Sequence, residues 1–374
     1  MSAPARPYTI ALMEGDGIGP EIVAAALPVL EAAAASHASA AGARLVWRRL
    51  DAGTRAYARS GTSVPPDALE VCRAADAMLK GPAGLPGVRH ADGTEAGMVA
   101  GRLRNAFVLF ANVRPARRVP GVPALAREGT DYVIVRENTE GAYATRGGGD
   151  VTDDVAEDRI RITREGTARV AHLAFDLARR RALARRRAAG ADTPSSGRDG
   201  DPVGGPRVTC CDKANVLRSF AFFRRVVTEV GAEYPDVTLE AMHADAAAAA
   251  IVEQSRRFDV LLTENLIGDI LSDAAAATVG GLGFCPAANL GGRHGLFEPV
   301  HGSAPDIAGT DRANPVAMIL AGAMMLEWLG LPEAGDRVRH AVDRAAVAGV
   351  LGLKPGGTVA STRAAGRAVL DALP

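Results

Sequence analysis

Four short apolar runs, Tyr8–Met13, Tyr132–Arg136, Val208–Cys210 and Val260–Thr263, each give way to a polar segment. The first is followed by a glycine turn and then by helical periodicity over Ile22–Ala34. A strand that hands over to a turn and a helix, repeated along a chain, predicts an α/β fold. The chain has 374 residues, more than the roughly 250 to 300 at which a single core stops growing, so two domains with a ligand-binding cleft between them are expected. In the turn GDGIGPE, Gly15–Glu21, the glycines are spaced G-x-G-x-G. The third glycine of the dinucleotide fingerprint G-x-G-x-x-G is missing, which argues against a Rossmann fold.

Basic and acidic residues balance at 43 each, so no bulk electrostatic partner such as a nucleic acid is implied. The arginine runs Arg179–Arg181 and Arg185–Arg187 follow a helical stripe of Val170, Leu173 and Leu177. They read as a solvated helix end, where cations suit the dipole. Phe175 is the one aromatic residue nearby, too little for a nucleic-acid surface. Cys72, Cys210, Cys211 and Cys285 fall at no metal-ligand spacing, and adjacent Cys210 and Cys211 make a poor disulfide framework, so a reducing compartment is expected. The absence of a signal-like apolar run near residue 1, and of any stretch of about 18 apolar residues, gives the expectation of a soluble cytoplasmic protein. The Gly-, Ser-, Asp- and Pro-rich segment 191–205 reads as a surface loop. Only Lys80, Lys213 and Lys354 are lysine among the 43 basic residues; the other 40 are arginine. An ammonium that can lose its proton is a reason for a lysine to remain, chance survival being the alternative.

Asp269 and Asp273 in GDILSD are spaced i, i+4. Their carboxylates share one face of a helix start and repel each other unless a cation intervenes. Ordinary acid enrichment at a helix N-terminus is the competing explanation. Asp245 opens the apolar stretch AAAAAIV, as a third oxygen ligand or as an N-cap. Such an oxygen set suits Mg²⁺ or Mn²⁺ rather than zinc. Arg104, Arg114 and Arg136 lie at the edges of predicted elements, placed for bidentate carboxylate binding or for surface salt bridges. Asp306 in HGSAPDIAG is a candidate acceptor for ribose hydroxyls of NAD, or a turn residue.

The ordered strings GDGIGPEI, RLR, FANVRP, VRENTEGAY, DKANVL, TENLIGDILSD and FEPVHGSAPDIAG run over nearly the whole chain. Together they resemble the isocitrate and isopropylmalate dehydrogenases, the β-decarboxylating dehydrogenases. The resemblance implies a two-domain α/β fold that is not Rossmann, with residues 1–109 and 280–374 forming a large, cofactor-side domain. Residues 110–279 would form a small domain carrying the dimer interface, metal ligands and catalytic lysine. It further implies a homodimer with shared active sites and a hydroxy-dicarboxylate substrate. Mg²⁺ or Mn²⁺ would bind Asp269 and Asp273 of one subunit and Asp245 of the other. Arg104, Arg114 and Arg136 would hold substrate carboxylates. Lys213, from the partner subunit, would take the hydroxyl proton, and Tyr143 would protonate C3. Asn215 would lie beside substrate or nicotinamide, while Glu298, His301, Asp306, Ile307 and Asn314 would line an NAD site. Asp306 and Ile307 stand where NADP-using relatives resemble lysine and tyrosine.

The segment GTEAGMVAGRLR, read as a short helix ending at Arg104, departs from the family's substrate-selecting patterns. Met98 and Ala100 replace the serine and asparagine of isocitrate enzymes. Gly97, Ala100 and Gly101 replace the glutamate and first two leucines of isopropylmalate enzymes, and Glu95 substitutes only if the helix shifts by two residues. Gly101 also stands where bacterial homoisocitrate enzymes can carry arginine. The implied reaction is NAD-dependent oxidative decarboxylation of a 3-substituted (2R)-malate, with 3-isopropylmalate or a close analogue first. RENTEGAYATRGGG and RPARRVPGVP also resemble tartrate and D-malate dehydrogenases. A non-catalytic regulatory subunit is disfavoured, since the lysine, tyrosine, three aspartates and three arginines are all present.

Overall fold

The computed structural model describes residues 7–36, 43–90, 93, 95–145, 149–189 and 205–374. Nearly all of the 191–205 segment, and residues 146–148 of the RENTEGAYATRGGG string, lie outside the described residues. The chain divides into two compact units, Met1–Leu109 with Val119–Pro123 and Gly280–Pro374, and Phe110–Arg118 with Ala124–Val279.

The first unit opens with β1 (Tyr8–Met13), α1 (Gly19–Ala35), β2 (Leu45–Leu50), α2 (Thr54–Ser60), α3 (Pro66–Ala74), β3 (Ala77–Lys80) and α4 (Ala100–Ala106). The second contains β4 (Ala111–Arg117), β5 (Asp131–Glu137), α5 (Arg164–Ala189), β6 (Arg207–Asp212), α6 (Arg218–Gly231), β7 (Thr238–His243), α7 (Ala244–Glu253), β8 (Val260–Thr263) and α8 (Asn265–Thr278). The chain then returns to the first unit with β9 (Pro286–Gly291), β10 (His294–Pro299), α9 (Val316–Trp328), α10 (Pro332–Val347) and α11 (Thr362–Asp371).

Strand order is β2-β1-β3-β10-β9 in the first unit and β4-β5-β8-β6-β7 in the second. The pairs β9·β10 and β4·β5 are antiparallel and the other neighbours within each unit are parallel. Parallel strands covered on both faces read as continuous apolar runs, and Ile10–Met13 and Val260–Leu262 are accordingly inaccessible to solvent. Helix α9 is apolar on all sides because it is buried against α1, α10 and β10.

The GDGIG turn is a backbone junction. Gly15 and Gly17 have φ of +76° and +58°. A Cβ at Gly15 would sit 1.9 Å from the Pro82 carbonyl oxygen, and one at Gly17 would sit 1.9 Å from that of Ser303. Between them, the buried Asp16 carboxylate accepts hydrogen bonds from the amides of Thr54 (3.0 Å) and Gly84 (2.8 Å) and from the Thr54 hydroxyl. Protein backbone, not a pyrophosphate, fills the space that these glycines open.

Two expectations change. Arg185, Arg186 and Arg187 are exposed near the end of α5, as expected, but Arg181 is half-buried, and it and Arg185 make a contact that the sequence does not signal. Their guanidinium groups reach Asp259, which is wholly buried, at 2.8 and 2.7 Å. Burial alone would raise that carboxyl's pKa, but the two arginines hold it below the usual range. Helix α4 begins at Ala100, not at residue 93, and runs past Arg104 to Ala106. Glu95 pairs in an isolated bridge with Arg89 and lies outside the helix, so no helix shift brings it into register. Gly97 is required by packing, since its Cβ would lie 2.7 Å from the Thr54 hydroxyl and 3.0 Å from the Gly84 backbone. All four cysteines are free and buried. Among the described residues no helix is long and apolar enough to cross a membrane.

Candidate functional site

In the second unit, the turn from β8 into α8 sets the geometry. Glu264 caps the helix by accepting the Ile267 amide at 2.6 Å, and the first turn of α8 holds no acidic residue. Asp269 and Asp273 therefore lie deeper in the helix than the N-terminal dipole explanation needs. Gly268 keeps the helix surface clear for Arg136, because a Cβ there would come within 2.7 Å of the arginine stem. Arg136, 2% exposed on β5, donates from Nε and Nη2 to Asn265 Oδ1 at 2.9 and 2.7 Å. Its Nη1 pairs with Asp269.

Arg114 of β4 reaches the same two carboxylates, with Nη1 at 3.0 Å from Asp273 Oδ1 and Nη2 at 3.4 Å from Asp269 Oδ1. Asn112 Oδ1 and Ser272 Oγ, both at 2.6 Å, hold the guanidinium. The Tyr143 hydroxyl donates to Asp269 Oδ2 at 3.0 Å, and the Arg136 guanidinium stands 5.6 Å from its ring centre. Partial burial raises the Asp273 pKa, with Asp269's charge adding to the effect and the arginines opposing it. Tyr143 is raised too, first by burial and then by Asp269, which keeps the phenol protonated. Among the described residues no group of three or more His, Cys, Asp or Glu side chains forms a metal-holding set within the chain.

Lys213 follows β6 and Asp245 sits in the first turn of α7, with 2.7 Å between Nζ and Oδ1. Asp245 is not the N-cap; His243 holds that position. The Lys213 hydrogen bond lowers the Asp245 pKa. Asn215 is exposed, two residues beyond the lysine.

In the first unit, Glu298 of β10 is buried and meets Lys80 Nζ at 2.9 Å and Arg104 Nη2 at 3.5 Å. The Asn289 side chain joins them, receiving Arg104 Nε at 3.0 Å and donating to Glu298 at 2.7 Å. Burial would raise the Glu298 pKa, but Lys80 and Arg104 overrule it and hold the carboxyl at about 2. His301 is depressed by burial, and its Nε2 is buried with no hydrogen-bond partner among the described residues. Asn314 Oδ1 accepts the Val316 amide at 3.1 Å in a turn just before α9, while its Nδ2 is also buried and has no partner among the described residues. Asp306 and Ile307 lie in the short 3-10 turn Pro305–Ile307, the first exposed and the second half-buried.

The structure thus gathers Arg114, Arg136, Tyr143, Asp269 and Asp273 into one cluster and pairs Lys213 with Asp245. Arg104 joins Glu298 in the first unit. Lys80, Asn289, Asn265, Ser272 and Asn112 had no assigned role from sequence. The scarcity of lysine marked Lys80; no local pattern marks the other four, whose partners in these clusters, Arg114–Asn112 and Asn289–Glu298 apart, are distant in the chain.

The isocitrate/isopropylmalate dehydrogenase family model matches residues 9–189 and 201–368. A 3-isopropylmalate dehydrogenase of Salinibacter ruber is 44% identical over 92% of this chain and 88% of its own length. A 3-isopropylmalate/3-methylmalate dehydrogenase of Methanocaldococcus jannaschii is 40% identical over 92% of each chain. Among solved structures, an isocitrate dehydrogenase from Methylococcus capsulatus superposes with a TM-score of 0.81 at 38% identity, covering 98% of this chain and 99% of that one. With its motifs in order, its fold matched and its carboxylate–arginine cluster assembled, this chain belongs to the isocitrate/isopropylmalate dehydrogenase family of decarboxylating dehydrogenases.

Proposed function

We propose that the chain catalyses NAD-dependent oxidative decarboxylation of a 3-substituted (2R)-malate, with 3-isopropylmalate or a close 3-alkyl analogue as substrate. The observation that carries this reading is the α8 cluster, where two carboxylates, two guanidinium groups and a phenol converge. The names of the relatives above and the uncharged residues just before and at the start of α4 support the alkyl substituent. Met98, Ala100 and Gly101 stand there with no ionisable side chain to meet a further carboxylate.

The donor set fits a divalent cation. Asp269 and Asp273 are hard-oxygen ligands whose mutual repulsion is now relieved by arginines, and Asp245 of a second subunit completes three. The first unit fits a nucleotide, because His301 Nε2 and Asn314 Nδ2 are buried polar atoms without partners among the described residues. When bound, Mg²⁺ or Mn²⁺ supplies Lewis-acid polarisation of the substrate oxygen and NAD supplies the hydride acceptor. Arg104, Arg114 and Arg136 bind and orient the substrate carboxylates as bidentate forks. Lys213 takes the proton of the 2-hydroxyl, and Tyr143, which keeps its proton, delivers one to C3 after carbon dioxide leaves. Asn215 lies beside substrate or nicotinamide. Asp306 and Ile307 complete the nucleotide site, and Glu298 supports the same unit by holding Lys80 and Arg104 in place. The first unit serves as the cofactor domain and the second as the dimerisation domain of a cytoplasmic homodimer.

The likeness to an isocitrate dehydrogenase favours a second reading, in which the substituent is a carboxylate. NADH formation with Mn²⁺ across 3-isopropylmalate, isocitrate, homoisocitrate, D-malate and tartrate separates the two. The proposal expects the highest kcat/KM for 3-isopropylmalate. Faster turnover of isocitrate or tartrate would replace it.

A further inference from the structure

Lys213 and Asp245 leave the ends of neighbouring parallel strands, and one guanidinium spans both exits. Strands β6 and β7 end in register at Asp212 and His243. Arg224, in the second turn of α6, places Nε at 2.8 Å from Asp212 Oδ2 and Nη2 at 2.7 Å from Oδ1. The same Nη2 lies 3.2 Å from His243 Nδ1. Asp212 is wholly buried, and its Oδ1 also accepts the Ala214 amide at 2.8 Å, closing a side-chain turn around Lys213. On its other side, the Lys213 carbonyl accepts the amides of Val216 and Leu217 at 3.0 and 3.1 Å. His243 in turn is the N-cap of the helix that carries Asp245. The lysine backbone is thereby fixed from both flanks, and its Nζ meets Asp245 across a gap that Arg224 sets.

We propose that Arg224 is a positioning residue that, through Asp212 and His243, holds Lys213 and Asp245 as one preassembled unit. The role demands arginine: a rigid planar fork engages both carboxylate oxygens and the imidazole together, whereas the single point charge of a lysine cannot. Misplacement of a reacting group by about 1 Å costs about 10²-fold in rate, so the effect falls on the chemical step rather than on binding.

The proposal rests on the assignment of Lys213 as the acid–base group, and the test separates the two. The full-length enzyme is assayed in single turnovers with NAD, Mn²⁺ and the best hydroxy acid of the panel above. Arg224→Lys and Arg224→Ala are expected to form NADH about 10²-fold more slowly, with KM for either substrate changed by less than about threefold. Added guanidinium ion is expected to restore rate to Arg224→Ala, and methylammonium is not. Asp212→Asn, which keeps an acceptor for the Ala214 amide but loses the ion pair, decides the matter if Arg224→Ala does not fold. A folded Arg224→Lys or Asp212→Asn enzyme at wild-type single-turnover rate, a loss confined to KM, or a folded Arg224→Ala enzyme indifferent to guanidinium overturns the proposal. Lys213→Met tests the underlying assignment independently. If that variant is inactive while the Arg224 variants are fast, positioning alone is wrong; if it is active, the assignment itself fails.

Discussion

Two ionic clusters are built from the same residue types and serve different ends. In the first unit Glu298 is sealed, with its side chain 9% exposed and that of Lys80 5% exposed, and an asparagine fills the remaining valence. In the second unit the side chains of Asp269 and Asp273 are 36% and 57% exposed, and one of the two arginines that meet them, Arg136, is almost wholly buried. The sealed cluster has its carboxyl locked in the ionised state. The open one keeps carboxylate oxygens accessible to a ligand while burying the cations that steer it. A charged residue's neighbours alone do not separate scaffold from chemistry; solvent access to the carboxylates does.

The largest expected effects come from removing one carboxylate from each cluster. Asp269→Asn should leave the fold intact and lower metal-dependent turnover by at least about 10²-fold, since metal-assisted charge stabilisation contributes several kcal/mol. Glu298→Gln should instead cost about 3 kcal/mol in urea unfolding, because it leaves the buried Lys80 charge uncompensated. Equal losses of stability in the two variants would erase the distinction.

The next effect concerns the nucleotide site proposed for the first unit. Asp306 can accept hydrogen bonds from ribose hydroxyls but opposes a 2′-phosphate. Like-charge juxtaposition of this kind is enough for about a hundredfold preference for NAD over NADP in kcat/KM. Asp306→Lys with Ile307→Tyr should narrow it. Equal efficiency with the two nucleotides in the unmodified enzyme rules the assignment out.

The smallest effect is the acid response of the sealed cluster. Glu298 titrates at about 2 in the folded chain, below its value when unfolded. Its contribution is complete well above the unfolded pKa of roughly 4.3 and is lost as pH falls from there toward 2. By pH 4 the loss is on the order of 1 kcal/mol or less. Unfolding titrations of the wild type and Glu298→Gln should differ in slope over that interval, and parallel curves would contradict the ionised, buried glutamate.

These contrasts also show which features a linear sequence carries. The i, i+4 spacing of Asp269 and Asp273 is a local signal, and so is the strand-to-helix handover around each motif; both appear where periodicity puts them. Solvent access and long-range pairing are not local. Lys80 and Glu298 are 218 residues apart, and Arg181 meets Asp259 across 78. Hence one lysine read as a possible proton carrier is half of a buried ion pair, and an arginine read as solvated, Arg181, is half-buried and with the exposed Arg185 anchors a buried aspartate. The start of α4 escaped for a third reason: Gly97 and Glu95 are committed to contacts with the Thr54–Gly84 region, which ends the helical pattern before residue 100. The GDGIG spacing ruled out a dinucleotide fingerprint but said nothing of Asp16, whose partners are brought together only by the fold.

The central claim is that the open cluster is half of a site, completed by Lys213 and Asp245 of a second copy of the chain. Subunit exchange between inactive variants reads this directly, with NADH formation from 3-isopropylmalate and Mn²⁺ as the signal. A Lys213→Met and Asp269→Asn mixture should recover activity, since one site of the mixed dimer then combines an intact donor with an intact acceptor. Lys213→Met mixed with Asp245→Asn should recover none, because both lesions fall on the same donating half. Recovery in the second mixture, or its absence in the first despite demonstrated exchange, would contradict the shared site.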